Sequence, residues 1–102
     1  MTDQPYPANV RALHWASTKL GDPQCPQLKG FTWLTLSALA CHADDDGVTY
    51  VSQRDLAERC SLARQSIMKY EAELVELGLI SKSPRYEGGH RTTDKIQLEL
   101  AQ

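Results

Sequence analysis

Along the chain, apolar residues recur first at spacings of three and four and later at spacings of two, which predicts four helices followed by a small sheet. Asn9 is placed to cap a first helix running to about Leu20. Val10, Leu13, Ala16 or Ser17, and Leu20 share one stripe of it, and Gly21 ends it. Trp15 and His14 fall off that stripe, so Trp15 must pack either on the rest of the domain or on a second subunit. Residues 21–30, GDPQCPQLKG, hold two glycines and two prolines and form a connecting loop. From Phe31 to Ala43 the sequence is almost continuously apolar. Leu34, Leu36, Leu39, Ala40 and Ala43, with Phe31 and Trp33, suit a core helix buried on most of its surface.

Asp44 to Gly47 is expected to be a solvated turn, and Val48 to Val51 a short β segment. The three aspartates lack the alternating ligand spacing and the distal Glu of a calcium loop, so no metal site is expected there. Ser52, followed three residues later by Asp55, makes an approximate capping box that opens a third helix with Leu56 and Ala57 inward. Cys60 closes that helix, Ser61-Leu62 is the turn, and Leu62 drops into the core. A fourth helix runs from Arg64 to Leu77 with Ile67, Tyr70, Leu74 and Leu77 on its inner stripe, and Gly78 stops it. Leu79 to Ser83 alternates loosely and Lys95 to Leu100 strictly, with Ile96, Leu98 and Leu100 inward. Between them PRYEGGHRTTD turns at Gly88-Gly89, so residues 79–100 form a β-hairpin with a long tip. Residues 1–8, with two prolines and no periodicity, are expected to be a flexible arm ahead of a single domain at 9–102.

Composition narrows the function more by exclusion than by indication. A chain of 102 residues holds one core of modest stability and has no room for a second functional domain. No apolar run approaches the ~20 residues of a membrane span, and MTDQPYPANVR lacks the layout of a signal peptide, so a cytoplasmic location with no membrane partner is expected. Cys25, Cys41 and Cys60 are odd in number and widely spaced, which suits buried free thiols rather than zinc ligands or bridges. His14, His42 and His90 fall in three different elements, and no Ser or Cys nucleophile sits in a recognisable motif with a base. His42 suits a helix-end hydrogen-bonding role. Neither an enzyme nor a cofactor nor a small-molecule ligand is therefore expected. The net charge of −2 and a pI near 5.8 also exclude holding a polyanion by bulk charge, so any such footprint must come from charge distribution.

That distribution is uneven. With Ile67 inward, Arg64, Gln65, Met68 and Lys69 project from the opposite surface of the fourth helix. From Arg59 to Tyr70 the charges are Arg59, Arg64 and Lys69 with no acid, and from Glu71 to Glu76 they are Glu71, Glu73 and Glu76 with no base. Arg and Gln can pair bidentately with guanine and adenine edges in a major groove. The hairpin sets Lys82, Arg85, His90, Arg91 and Lys95 against Glu87 and Asp94, a basic balance suited to the phosphate backbone or the minor groove.

Taken in order, ALHWA (Ala12 to Ala16), LSALACHADDDG (Leu36 to Gly47), SQRDLAERCSL (Ser52 to Leu62), RQSI (Arg64 to Ile67), LVELGLI (Leu74 to Ile80) and the glycine-centred hairpin resemble the winged helix-turn-helix modules of phage and plasmid replication proteins and small bacterial regulators. Three positions depart from that pattern. Ser61 stands where the family tends to have Gly, and Ala63 where it tends to have a capping Ser or Thr. Glu71, where an aliphatic residue is common, puts a charge near the packing face that could pair with a basic residue or face a partner subunit. The resemblance implies a mainly α fold with a β-hairpin wing, and DNA binding by Arg64, Gln65, Ser66 and Lys69 in the groove, to which Met68 on the same face is added. It implies wing contacts from Lys82, Arg85 and Arg91, with Ser52, Gln53 and Arg54 at a helix amino end facing a phosphate. Arg59, His90 and Lys95 are further candidates for the backbone.

The leading expectation is sequence-specific binding of double-stranded DNA by a small bacterial, phage- or plasmid-encoded transcriptional regulator. It is expected to be a homodimer, with Leu13, Trp15 and the N-terminal arm as candidate interface. The alternatives are the origin-binding module of a replication initiator and, from another class, a winged helix used for protein contacts.

Overall fold

The helix α2 (Gly30–Cys41) is the element on which three other helices rest: α1 (Val10–Lys19), α3 (Gln53–Cys60) and α4 (Arg64–Glu76) all pack against it. The computed structural model describes residues 10–20, 22, 23, 28 and 30–100. The expected arm at 1–8, the Asn9 cap, Gly21 and Cys25 lie outside them. Leu36 and Leu39 of α2 are fully buried, and each contributes on the order of 1.5–3 kcal/mol by leaving water. The helix is less uniformly apolar in its surroundings than its sequence suggests. Phe31 is 54% exposed and Leu34 only half-buried, whereas Thr32 and Thr35 are buried. Threonine is tolerated there because its hydroxyl finds an acceptor: Thr35 Oγ1 donates to the Phe31 carbonyl at 2.8 Å, and Thr32 Oγ1 to Glu73 Oε1 at 2.6 Å. Phe31 packs its ring against Tyr70 at a centroid distance of 6.1 Å. The helix stops at Cys41, two residues before the expected end at Ala43.

Helix α1 corrects the predicted stripe. Its buried residues are Ala12, Trp15 and Ala16, while Val10 and Leu20 are exposed. Two alanines let α1 approach α2 closely, and Trp15 fills the space beside them. A stripe chosen by the largest aliphatic residues misses this, because the small residues set the contact. Trp33 Nε1 donates to the Ala16 carbonyl at 3.2 Å, and Leu28, buried between the two helices in sequence, joins the same core.

Asp44 caps the turn after α2 itself: its Oδ1 accepts from the amides of Asp46 at 2.9 Å and Val48 at 3.0 Å. Gly47 has φ +81°, and a Cβ there would lie 2.9 Å from the Leu98 carbonyl oxygen and 3.1 Å from Leu100 Cγ. The chain passes so close because the Leu98 amide donates to the Gly47 carbonyl at 2.7 Å.

Helices α3 and α4 end in the same way. Ser61 adopts the left-handed conformation, φ 55° and ψ 42°, with the Leu62 amide donating to Ala57 and the Ser61 amide to Glu58. At the end of α4, Gly78 has φ +76°, with Leu79 donating to Leu74 and Gly78 to Val75. Both are Schellman closures, which leave the following leucine to pack inward. Ser61 thus takes the glycine-like conformation. Helix α4 begins after Ala63, which makes no side-chain capping bond.

The strands β1 (Val48–Thr49), β2 (Ile80–Ser83) and β5 (Lys95–Leu98) form an antiparallel sheet in the order β1-β5-β2, with Thr49 opposite Ile96 and Ile80 opposite Leu98. Ile80, Ile96 and Leu98 face the helices and complete the core. Beyond this sheet, β3 (Tyr86–Glu87) and β4 (His90–Arg91) pair around Gly88-Gly89 as a narrow ribbon. The architecture is a winged helix-turn-helix: helices first, then a small antiparallel sheet whose long hairpin follows the last helix.

Candidate nucleic-acid interface

Helix α4 buries Ile67, Glu71 and Leu74 and turns Arg64, Gln65, Met68 and Lys69 outward, with Ser66 half-buried between the two faces. The three-four periodicity dictates this division, although the inner stripe runs through Glu71 rather than through Tyr70, which is only half-buried. Arg64 and Gln65 make no ion pair or side-chain hydrogen bond among the described residues, and the Lys69 ammonium lies 5.8 Å from the Tyr70 ring centroid. Because Ala63 offers no side-chain acceptor, the first amides of α4 are left to water or an anion.

A cleft of about 720 Å³ separates this end of α4 from the wing. It brings together Ser52 at the cap of α3, Gln53 and Arg54 from α3, Arg64 and Met68 from α4, and Lys82 and Arg91 from the hairpin, all predicted from sequence. Gln65, Ser66, Lys69, Arg59, Arg85, His90 and Lys95 lie outside its lining. Of these, Gln65, Lys69, Arg59, His90 and Lys95 are exposed.

Several predicted phosphate contacts are already engaged within the chain. Lys82 Nζ lies 2.7 Å from Glu71 Oε1, a carboxylate only 1% exposed, and 3.9 Å from Asp94 Oδ2. Gln53 Nε2 donates to the same Glu71 oxygen at 3.2 Å. Lys82 and Gln53 therefore tie β2 and the start of α3 to α4 rather than pointing into solvent. Ser52 Oγ accepts from the Asp55 amide at 3.0 Å, the expected cap. The Arg85 guanidinium stacks 4.3 Å from the centroid of Tyr50, and donates to the Thr93 carbonyl at 2.9 Å and to Thr93 Oγ1 at 3.0 Å. The bonds to Thr93 join the two sides of the wing at its base, and the stacking contact holds that base against Tyr50, the residue after β1. Arg91 Nη2 contacts Asp94 Oδ1 at 3.0 Å, and that carboxylate holds the Arg91 guanidinium's pKa above its ordinary value. Arg54 forms a loose exposed pair with Glu58 at 3.8 Å.

Glu71 is buried within the chain, where it is the hub joining α4, α3 and the wing. Its departure from the family pattern signalled a charge near the packing face, but nothing in the local sequence identified Lys82 as its partner. Asp94 and Tyr50 were missed altogether as groups that hold wing arginines. Of the two packing alternatives for Trp15, the ring takes the one within the domain, in the core at 7% exposure, and Leu13 is half-buried against the same core.

Cys41 is exposed and Cys60 half-buried against the core, so burial does not extend to both thiols. His42 is half-buried with its Nε2 enclosed and no partner for it among the described residues, contrary to a helix-end hydrogen-bonding role.

A family model described as a helix-turn-helix domain matches residues 27–80, more than half of the chain. The chain belongs to the helix-turn-helix domain family. The matched segment runs from before α2 to the first residue of β2, so it contains the paired helices and stops where the wing begins. Comparisons with curated proteins and with solved structures find no match. A helix-turn-helix domain supports DNA binding and is typically not an enzyme. No helix among the described residues is long and apolar enough to cross a membrane.

Proposed function

We propose that this helix-turn-helix protein binds double-stranded DNA sequence-specifically as a small transcriptional regulator in the cytoplasm of its host. The N-terminal half of α4 enters the major groove, and the β3–β4 ribbon follows the backbone or the adjacent minor groove. The observation that carries this reading is the outer face of α4. Arg64, Gln65, Met68 and Lys69 are exposed together, and the acid that follows them in sequence, Glu71, is buried on the opposite side. An acidic protein can approach a polyanion through such a face because the next carboxylate along the helix is buried and paired with Lys82.

One module reads only a short site, so a homodimer on a repeated site is the form that supplies enough affinity and discrimination. Selection of bound sequences from a random duplex pool tests both parts. A palindrome supports a dimeric regulator, whereas tandem iterated sites favour an origin-binding initiator. On the selected duplex, Arg64→Ala should lose about 1–3 kcal/mol of discrimination against random DNA if Arg64 makes a bidentate base contact. Absence of salt-sensitive duplex binding by the wild-type chain would overturn the reading and leave a protein-contact role for the winged helix.

A further inference from the structure

Between Arg91 and Lys82 the cleft already contains an anion, the side chain of Asp94. Arg91 Nη2 reaches both carboxylate oxygens, Oδ1 at 3.0 Å and Oδ2 at 3.3 Å, and Lys82 Nζ lies 3.9 Å from Oδ2. This is the arrangement a phosphodiester would make with the same two cations: paired oxygens on a guanidinium and an ammonium at one side. Resting on the DNA-binding reading, we propose that Arg91 forms a seat for one backbone phosphate, and that Asp94 occupies this seat in the free protein as a resident competitor.

Two features make the exchange feasible. The Arg91 side chain is 60% exposed, so its pairing with Asp94 is screened by water and weak enough for a phosphate to replace. Asp94 is not stranded when Arg91 turns away, because Lys82 remains beside it. Lys82 is in turn fixed by its closer contact with buried Glu71 and does not depend on Asp94 for its place. The carboxylate therefore lowers affinity for every duplex alike, without touching the base-reading face of α4.

The test is Asp94→Asn in the full chain, with Asp94→Ser as a second variant, measured on the selected duplex and on a random-sequence duplex over a salt series. Both variants should bind both duplexes about two- to fivefold more tightly, the range set by one exposed ion pair. The salt dependence should steepen by roughly one phosphate contact, a slope change of about 0.9, and the ratio of specific to random affinity should stay the same. In an Arg91→Gln background the gain should disappear. Weaker or unchanged binding by Asp94→Asn would show that Asp94 orients Arg91 instead of competing for it. An equal gain in the Arg91→Gln background would reduce the effect to general charge, and either result overturns the proposal while leaving DNA binding intact. A wild-type chain that binds no duplex overturns both.

Discussion

Replacing Lys82 with Met removes the ammonium from Glu71 while keeping most of the aliphatic stem that packs at the base of the wing. The Glu71 carboxylate, 1% exposed, would keep a single donor, Gln53 Nε2 at 3.2 Å, and its Oε2 already has no partner among the described residues. Breaking a buried pair by removing one member costs about 3–5 kcal/mol. The Lys82 side chain is 25% exposed, so water can reach one side of the site, and the loss should fall nearer 2–3 kcal/mol than the upper figure. A domain of this size has roughly 5–15 kcal/mol in total. Each kcal/mol moves its Tm by about 4–8 °C, so Lys82→Met should melt roughly 8–24 °C below wild type. Thermal and urea unfolding followed by circular dichroism would measure this. The double variant Glu71→Leu, Lys82→Met, which replaces the whole pair by apolar groups, should recover most of the loss. A single variant that loses less than about 1 kcal/mol, or a double variant no more stable than the single, would refute the assignment of Glu71 and Lys82 as a buried pair that needs both members.

Three further outcomes are expected. Ala63→Ser supplies the missing cap of α4 and should raise stability by about 1 kcal/mol, read as a Tm several degrees higher. Gly47→Ala puts a Cβ 2.9 Å from the Leu98 carbonyl oxygen at a φ of +81°, and should lower stability by on the order of 2–3 kcal/mol in urea unfolding. Burial, then the charge of Arg59, depresses the His42 pKa below its ordinary 6.5, with Asp55 opposing. The unfolded chain therefore takes up this proton first, and stability should fall as pH drops from about 6.5 toward the lower folded-state value. His42→Gln should flatten that part of the stability profile.

What was legible in the sequence was whatever depends on near neighbours. The helix-turn-helix and wing followed from three-four spacing, from Gly78 and Gly88-Gly89, and from alternation at Lys95 to Leu100. Arg64, Gln65, Met68 and Lys69 could be placed together on the outer face of α4 because helical geometry fixes them once Ile67 points inward. Whether a cation is available is a different question, since it depends on groups brought close by the tertiary fold. Lys82 lies eleven residues after the Glu71 that claims it, and Arg85 is fixed by Tyr50, thirty-five residues earlier, just after β1. The stripe on α1 failed for a related reason. Ala12 and Ala16 carry little hydrophobic weight but are the buried side of α1, so a pattern weighted by side-chain size chose Val10 and Leu20. On α2, Thr32 and Thr35 were legible as polar but not as buried, because their acceptors are a carbonyl one turn back and a glutamate on α4.

The strand order β1-β5-β2 also bears on how this chain reaches its native state. The middle strand of the sheet comes last in sequence among the three, and pairing Thr49 with Ile96 closes a loop of nearly half the chain. The helices can gather around α2 through shorter loops, but β1 and β2 have no partner in this sheet until Lys95–Leu98 arrives. Sheet closure should therefore be the high-contact-order event that limits the folding rate. Until then a nascent or truncated chain presents two uncovered strand edges, and those edges are the sites at which it would pair with a neighbour and aggregate.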